Sequence, residues 1–231
     1  MNISQIPSRP SEPKPDSSAT HRAYTELRRM ILTGQYRPGE KLKIEALRKA
    51  LNTGASPIRE ALSLLTSDQL VERLDQRGFR AAEAGRKNFE DILKLRCTLE
   101  DMALRESIAN ATESWEEDLV LSHHRMVRSS RDDIEGFEEF EARHKAFHMA
   151  LLAGCDSPIL LRYCSQLYDL NVRYRYLALQ SKNYLKRDIP KEHQDIMDAA
   201  IARDPDLVSE RLLNHYRQTG AFLTGLLAGT L

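Results

Sequence analysis

Cysteine is scarce in this chain, with three among 231 residues, at positions 97, 155 and 164. The number is odd and no spacing suits a pair of metal ligands, which argues against a disulfide framework and a cysteine-ligated site. Small buried thiols in a reducing compartment fit better, so a cytoplasmic location is expected. Long hydrophobic runs are missing as well. No segment approaches the ~18 uncharged apolar residues of a membrane helix. The longest candidate, Gln218 to Leu231, is interrupted by Gly and Thr. The N-terminus has no basic start followed by an apolar stretch, so no secretory leader is expected. Glycine and proline are few, 10 and 9, and 41% of residues are hydrophobic. That excludes a collagenous, low-complexity or mostly disordered chain. Net charge is absent too, with 34 Lys and Arg against 34 Asp and Glu. Taken whole, that neutrality argues against a nucleic-acid partner.

Periodicity divides the chain. Residues 1–20 hold four of the nine prolines without apolar rhythm and read as a flexible tail. Thr20 is an expected N-cap for a helix through Tyr24, Leu27 and Ile31 that ends at Gly34. A second helix is predicted from Ile44 to Leu51. After the break at Asn52 to Ala55, Ser56 as N-cap and Pro57 at the first helical position predict a third, over 56–68. Beyond Asp68 the period shortens, and 70–74 and 78–82 read as two strands joined by Asp75-Gln76-Arg77. Helix, helix, short turn, helix and hairpin make a winged helix-turn-helix. From Asn88 onward the pattern is helical, with helices predicted near 88–111, 114–130, 134–153, 158–180, 190–203 and 206–227. The expected fold class is mainly α: a winged helix-turn-helix at 21–83, a linker at 84–88, and an all-α antiparallel bundle at 89–231.

The neutrality dissolves when charge is counted by segment. Residues 21–83 carry 12 Lys and Arg against 8 Asp and Glu, a balance of +4, and residues 84–231 carry 20 against 24, a balance of −4. A basic helix-turn-helix is the electrostatic footprint of a phosphate-binding module, so double-stranded DNA is the expected partner.

Three motifs then carry a resemblance. Pro38-Gly39-Glu40-Lys41-Leu42, Ser56-Pro57-Ile58-Arg59-Glu60-Ala61-Leu62 and Gln76-Arg77-Gly78-Phe79-Arg80 resemble the signature of GntR-family transcriptional regulators. The helical remainder, opening with Leu95-Arg96-Cys97-Thr98-Leu99-Glu100, is similar to the FCD effector domain of the FadR subfamily. The stretch Arg143 to His148, with Ala153-Gly154-Cys155, looks most like the branch containing the regulator CsiR. The resemblance covers about residues 20–228. It implies a homodimer on an operator with two half-sites, with no membrane involvement, and regulation by a small carboxylate, as a repressor that the carboxylate releases.

In such a module the third helix enters the major groove, with Ser56 and Arg59 on its first turn. Lys41, Lys43 and Arg48 are candidate backbone contacts, and the family's wing tip maps onto Arg77 and Gly78. Many relatives carry Arg before the recognition helix, where this chain has Gly54-Ala55-Ser56, so one base-reading guanidinium is absent.

Four of the seven histidines fall on apolar stripes of predicted bundle helices. His144 and His148 are four apart, His193 shares a stripe with Ile196 and Met197, and His215 shares one with Val208 and Leu212. Each alone reads as a satisfied core residue as readily as a ligand. The family's metal pattern is Asp-x-x-x-His followed by two histidines about 22 residues apart. It implies His148, His193 and His215 as ligands, with His144 standing where Asp is usual. A divalent transition metal is expected, zinc first and nickel or iron as alternatives. The resemblance also implies Arg96 as an effector contact, and Arg173 or Arg175 is a further candidate, with Arg175 preferred. Two other readings stay open. One is a hydrolase using metal-bound water, against which no Asp or Glu accompanies the histidines at a general-base spacing. The other is a sensor of the metal itself.

Overall fold

The computed structural model describes residues 18–75, 77–130, 134–178 and 188–228. The expected tail up to residue 17 and Gln76 of the expected wing tip lie outside them.

Helix α1 (Ala19–Leu32) is capped by Ser18, whose hydroxyl accepts from the His21 N–H. Thr20, the expected cap, is already helical and donates to Glu60 on α3 at 2.7 Å instead. Leu27 and Ile31 of α1 are fully buried in one apolar cluster with Leu47 of α2 (Ile44–Ala50) and Ile58, Leu62 and Leu65 of α3 (Ala55–Ser67). Each such aliphatic side chain contributes about 1.5–3 kcal/mol through burial.

Helix α3 starts one residue earlier than expected. Gly54, with extended backbone, is its N-cap, and no side chain caps it. Ser56 is therefore not the cap but the second residue of the helix, exposed on its first turn.

The two expected strands form as β2 (Val71–Leu74) and β3 (Gly78–Ala81). A third, unexpected strand, β1 (Lys41–Leu42), pairs antiparallel with β3 and gives the order β1-β3-β2. Two residues carry too little alternation to be seen as a strand; the partner at Phe79 and Arg80 makes it one.

The body follows as α4 (Arg86–Ala109), α5 (Glu113–Val127), α6 (Ile134–Leu152), α7 (Pro158–Ala178), α8 (Ile189–Ile201) and α9 (Pro205–Leu227). Residues 86–88, expected in the linker, already belong to α4, with Gly85 as N-cap. Asp188 and Asp204 cap α8 and α9, each followed within two residues by proline. Gly220 lets α9 approach α4, since a Cβ there would overlap Leu93. No helix among the described residues is long and apolar enough to cross a membrane.

The two halves touch. Arg28 on α1 pairs with Asp169 on α7 at 2.7 Å, and Arg29 with Glu138 on α6 at 3.2 Å. Arg173, a candidate for the effector pocket, is instead spent on this joint: it is buried and donates to the Ala82 carbonyl.

Candidate metal centre and nucleic-acid interface

The expected DNA-contacting cations stand on the outside of the N-terminal module. Lys41 lies on β1, Lys43 is the N-terminal flank of α2, Arg59 is on the first turns of α3 and Arg77 ends the wing turn, all exposed. Among the described residues, these four have no carboxylate partner within ion-pair distance. Arg48 does, pairing with Glu45 at 2.8 Å, so its charge is less available to a phosphate. Gly78 has φ +93°, a backbone that L side chains rarely adopt, and nothing lies within 4 Å of where a Cβ would sit. Its turn is open to an approaching backbone.

The body is the opposite case: its candidate residues are deeply buried. His144 and His148 come from α6, His193 from α8 and His215 from α9, all at most 5% exposed. Their candidate ligand nitrogens lie within 4.8 Å of one another. His144 Nε2 is 2.8 Å from His193 Nε2 and 2.9 Å from His148 Nε2. His144, where the family has Asp, is thus central to the cluster.

What surrounds the histidines decides their chemistry. His144 Nδ1 meets the Tyr168 hydroxyl at 2.8 Å, and that hydroxyl donates to Glu141 Oε2 at 3.0 Å. His148 Nδ1 meets the Tyr216 hydroxyl at 2.9 Å, and Tyr216 donates to Glu100. His193 Nδ1 faces the Ile189 carbonyl at 2.8 Å, and His215 Nδ1 faces Glu192 Oε2 at 2.7 Å. A carbonyl and a carboxylate only accept, and each tyrosine has committed its proton to a carboxylate. All four Nδ1 atoms must therefore donate, which leaves four Nε2 lone pairs converging. Converging lone pairs repel unless a proton or a cation lies between them. Ligand histidines oriented through Nδ1 by carboxylates and carbonyls are the usual second layer of a metal site, so this donor set fits a divalent transition metal.

Electrostatics agrees. Burial, reinforced by the Arg175 charge and the other histidines, lowers the His144 pKa to about 3, against an opposing pull from Glu141. Burial likewise holds His148 and His193 well below the usual histidine range. These imidazoles are neutral at pH 7, as ligands must be. Burial pushes Glu141 up, but Arg175 and the His144 contact override it and hold the carboxyl at about 2.

Beside the cluster lies a cavity of about 20 Å³, lined by Arg96, His144, Asn171, Arg175, His215 and Tyr216 among others. That is room for one water. Arg96 and Arg175, both expected to bind an effector, do reach this cavity. Each is also paired within the protein: Arg96 Nε with Glu100 at 2.6 Å, Arg175 Nε with Glu141 at 2.8 Å.

The carboxylates add to the reading of the sequence, which found none at a general-base spacing. Acidic residues do accompany the histidines: Glu141 lies three residues before His144, and Glu192 adjoins His193 but serves His215. Both are engaged as Nδ1 or tyrosine acceptors. The signal for Glu141 and Glu100 was a charge on an otherwise apolar helix stripe, one turn from a histidine or an arginine. Nothing in the sequence pointed to Tyr168, Tyr216 or Glu192.

Comparison with known proteins matches two families, one after the other along the chain. Residues 19–80 match the family "Bacterial regulatory proteins, gntR family", and residues 91–218 match the FCD domain. The chain is 33% identical over 197 residues to the HTH-type transcriptional repressor GlaR of Escherichia coli (strain K12), covering 83% of this chain and 90% of that protein. It is 35% identical over 196 residues to the HTH-type transcriptional regulator BphR of Paraburkholderia xenovorans (strain LB400), covering 83% and 80% respectively. Among solved structures, E. coli McbR/YncC superposes with a TM-score of 0.75 at 21% identity, over 89% of this chain and 97% of that one. At that identity the likeness speaks for the fold.

Proposed function

The chain belongs to the GntR family of bacterial regulatory proteins and is a transcriptional regulator with an FCD domain, not an enzyme. On that premise we propose that it is a cytoplasmic repressor released by a small organic acid bound beside a metal ion. Residues 21–83 are the operator-binding unit, and 89–231 the effector-binding and dimerisation unit. His144, His148, His193 and His215 hold the ion, with zinc favoured over nickel and iron because four neutral imidazoles suit it. Four imidazoles fill the usual zinc set, so an acid carboxylate would join the ion by raising its coordination number. The observation that carries this reading is the convergence of four buried imidazoles, three of them through Nε2, whose Nδ1 atoms are all engaged.

The protein's own residues supply the rest. Arg96 and Arg175 line the same cavity and, once it widens to admit an acid, would orient a second carboxylate by charge-assisted hydrogen bonds. In the N-terminal unit, Lys41, Lys43 and Arg77 contact phosphates, with Arg48 a weaker contributor, while Ser56 and Arg59 read the major groove and Gly78 admits the minor-groove edge. Two copies related by a two-fold axis span the two half-sites.

A thermal-shift screen against organic acids, with and without chelator, tests the reading. A bound acid stabilises the native state by about 2.7 kcal/mol at a hundredfold excess over Kd. The expected outcome is a shift that disappears with chelator; metal content under about one-tenth equivalent after metal-supplemented growth would end the metal assignment. A second reading, a sensor of the metal itself, is favoured by the cavity, which has room for a water but not for an acid. Operator binding that follows metal concentration and ignores acids would select it.

A further inference from the structure

Tyr168 belongs to both halves of the molecule. Its ring is 1% exposed and lies in the apolar cluster of the N-terminal module, with Leu27 and Ile31 of α1 and Val172 of its own helix. Its hydroxyl lies on the other side, between His144 Nδ1 at 2.8 Å and Glu141 Oε2 at 3.0 Å. The following residue, Asp169, ties the same stretch of α7 to Arg28 on α1 at 2.7 Å. It also accepts from Lys145, the neighbour of His144, at 2.8 Å. Glu141 lies 3.7 Å from His144 Nδ1, too far for a direct hydrogen bond, so the tyrosine hydroxyl spans the gap.

We propose that Tyr168 is the positioning residue through which the state of the histidine cluster reaches α1 and the DNA-binding module. The inference rests on the reading that the cluster holds a metal ion. A phenylalanine would fill the same apolar space, whereas a buried hydroxyl is costly unless its partners are kept. The hydroxyl is therefore tied to His144 and Glu141. When Nε2 of His144 is held by an ion, the imidazole can no longer turn, and its Nδ1–H becomes a stronger donor. The Tyr168 hydroxyl follows that donor, and the rigid ring carries the displacement into the packing around Leu27 and Ile31. Close-packed interiors answer small shifts by repacking rather than absorbing them. With the cluster unliganded, nothing fixes Nε2 of His144, so its imidazole and the Tyr168 ring are less firmly held and α1 is looser.

The test uses full-length protein, zinc titration by calorimetry and hydrogen exchange of α1 amides, in zinc or in EDTA. In the wild type, saturating zinc is expected to slow exchange in α1 by about fivefold or more. Tyr168→Phe is expected to bind zinc about tenfold more weakly, yet at zinc saturation to show no slowing in α1. Val172→Ala loosens the joint without touching His144, and should keep its zinc affinity while losing most of the α1 response. An undiminished α1 response in zinc-saturated Tyr168→Phe would overturn the proposal, and so would an undiminished response in Val172→Ala. A wild type that binds zinc stoichiometrically without any change in α1 overturns it while leaving the metal reading standing. A wild type that takes up no zinc removes both, and the titration alone distinguishes that case.

Discussion

The two functional regions of this regulator are built on opposite principles. In the N-terminal module the working side chains are exposed, and Lys41, Lys43, Arg59 and Arg77 are not tied to a carboxylate among the described residues. In the helical body the working side chains are buried, and each histidine is tied through Nδ1 to a named partner. The difference suits what each region is proposed to meet. A phosphate backbone arrives from solvent with its own charge, so the protein needs free cations at the surface. A small ion must be stripped of water and held by neutral donors, so the protein needs a pre-oriented, dry cluster.

That contrast can be broken most forcefully at a histidine. His193→Ala is expected to weaken zinc binding by about a hundredfold or more and to leave DNA affinity of the chelator-treated protein unchanged; calorimetry and a binding assay in EDTA check both halves. A parallel loss of DNA binding in EDTA would show that the two regions are not separable. Next comes the reverse experiment. Arg59→Ala should cost about 1–3 kcal/mol of operator affinity and relax base preference at one position, with zinc affinity intact. Undiminished operator affinity would remove Arg59 from the reading residues.

Acid sharpens the contrast through the buried cluster. The unfolded chain protonates His144 from about 6.5 downward, whereas the folded protein resists until about 3. Stability from this group is complete above the unfolded value and is lost as pH falls towards the folded one. Between pH 7 and 5 the metal-free protein should lose about 2 kcal/mol on this account. Denaturant melts at those two pH values measure it, and a gain in stability on acidification would contradict the sign. The smallest effect is expected at the joint. Asp169→Asn removes the partner of both Arg28 and Lys145, yet with Asp169 23% exposed it should change global stability by less than about 1 kcal/mol.

How much of this was legible depends on where the partner of each residue comes from. Helix α3 and the hairpin were readable because their signals, Pro57, the apolar spacing of Ile58, Leu62 and Leu65, and the wing turn, are local. The cap was misread because Ser56 and Gly54 both suit the position; the chain uses the earlier one and places Ser56 on the exposed first turn. Strand β1 was missed because its identity comes from β3, more than 30 residues away. The histidines were found as a set only through a family spacing, since four positions on three helices share no local pattern. The tyrosines were not found at all. Tyr168 and Tyr216 look like ordinary core aromatics until the fold brings His144 and His148 to their hydroxyls.

By itself, then, the sequence determined the parts that depend on neighbours along the chain: a basic winged module, an acidic helical body, and imidazoles on apolar stripes. Turn chemistry, helical period and charge balance act over a few residues, so they are written in order. The tertiary structure alone decided which proton each histidine keeps, that Arg96 and Arg175 are already paired, and that one tyrosine ring joins the two halves. Those outcomes depend on contacts between helices far apart in sequence. A hydrogen bond and the loss of water around a buried group exist only once the helices are packed.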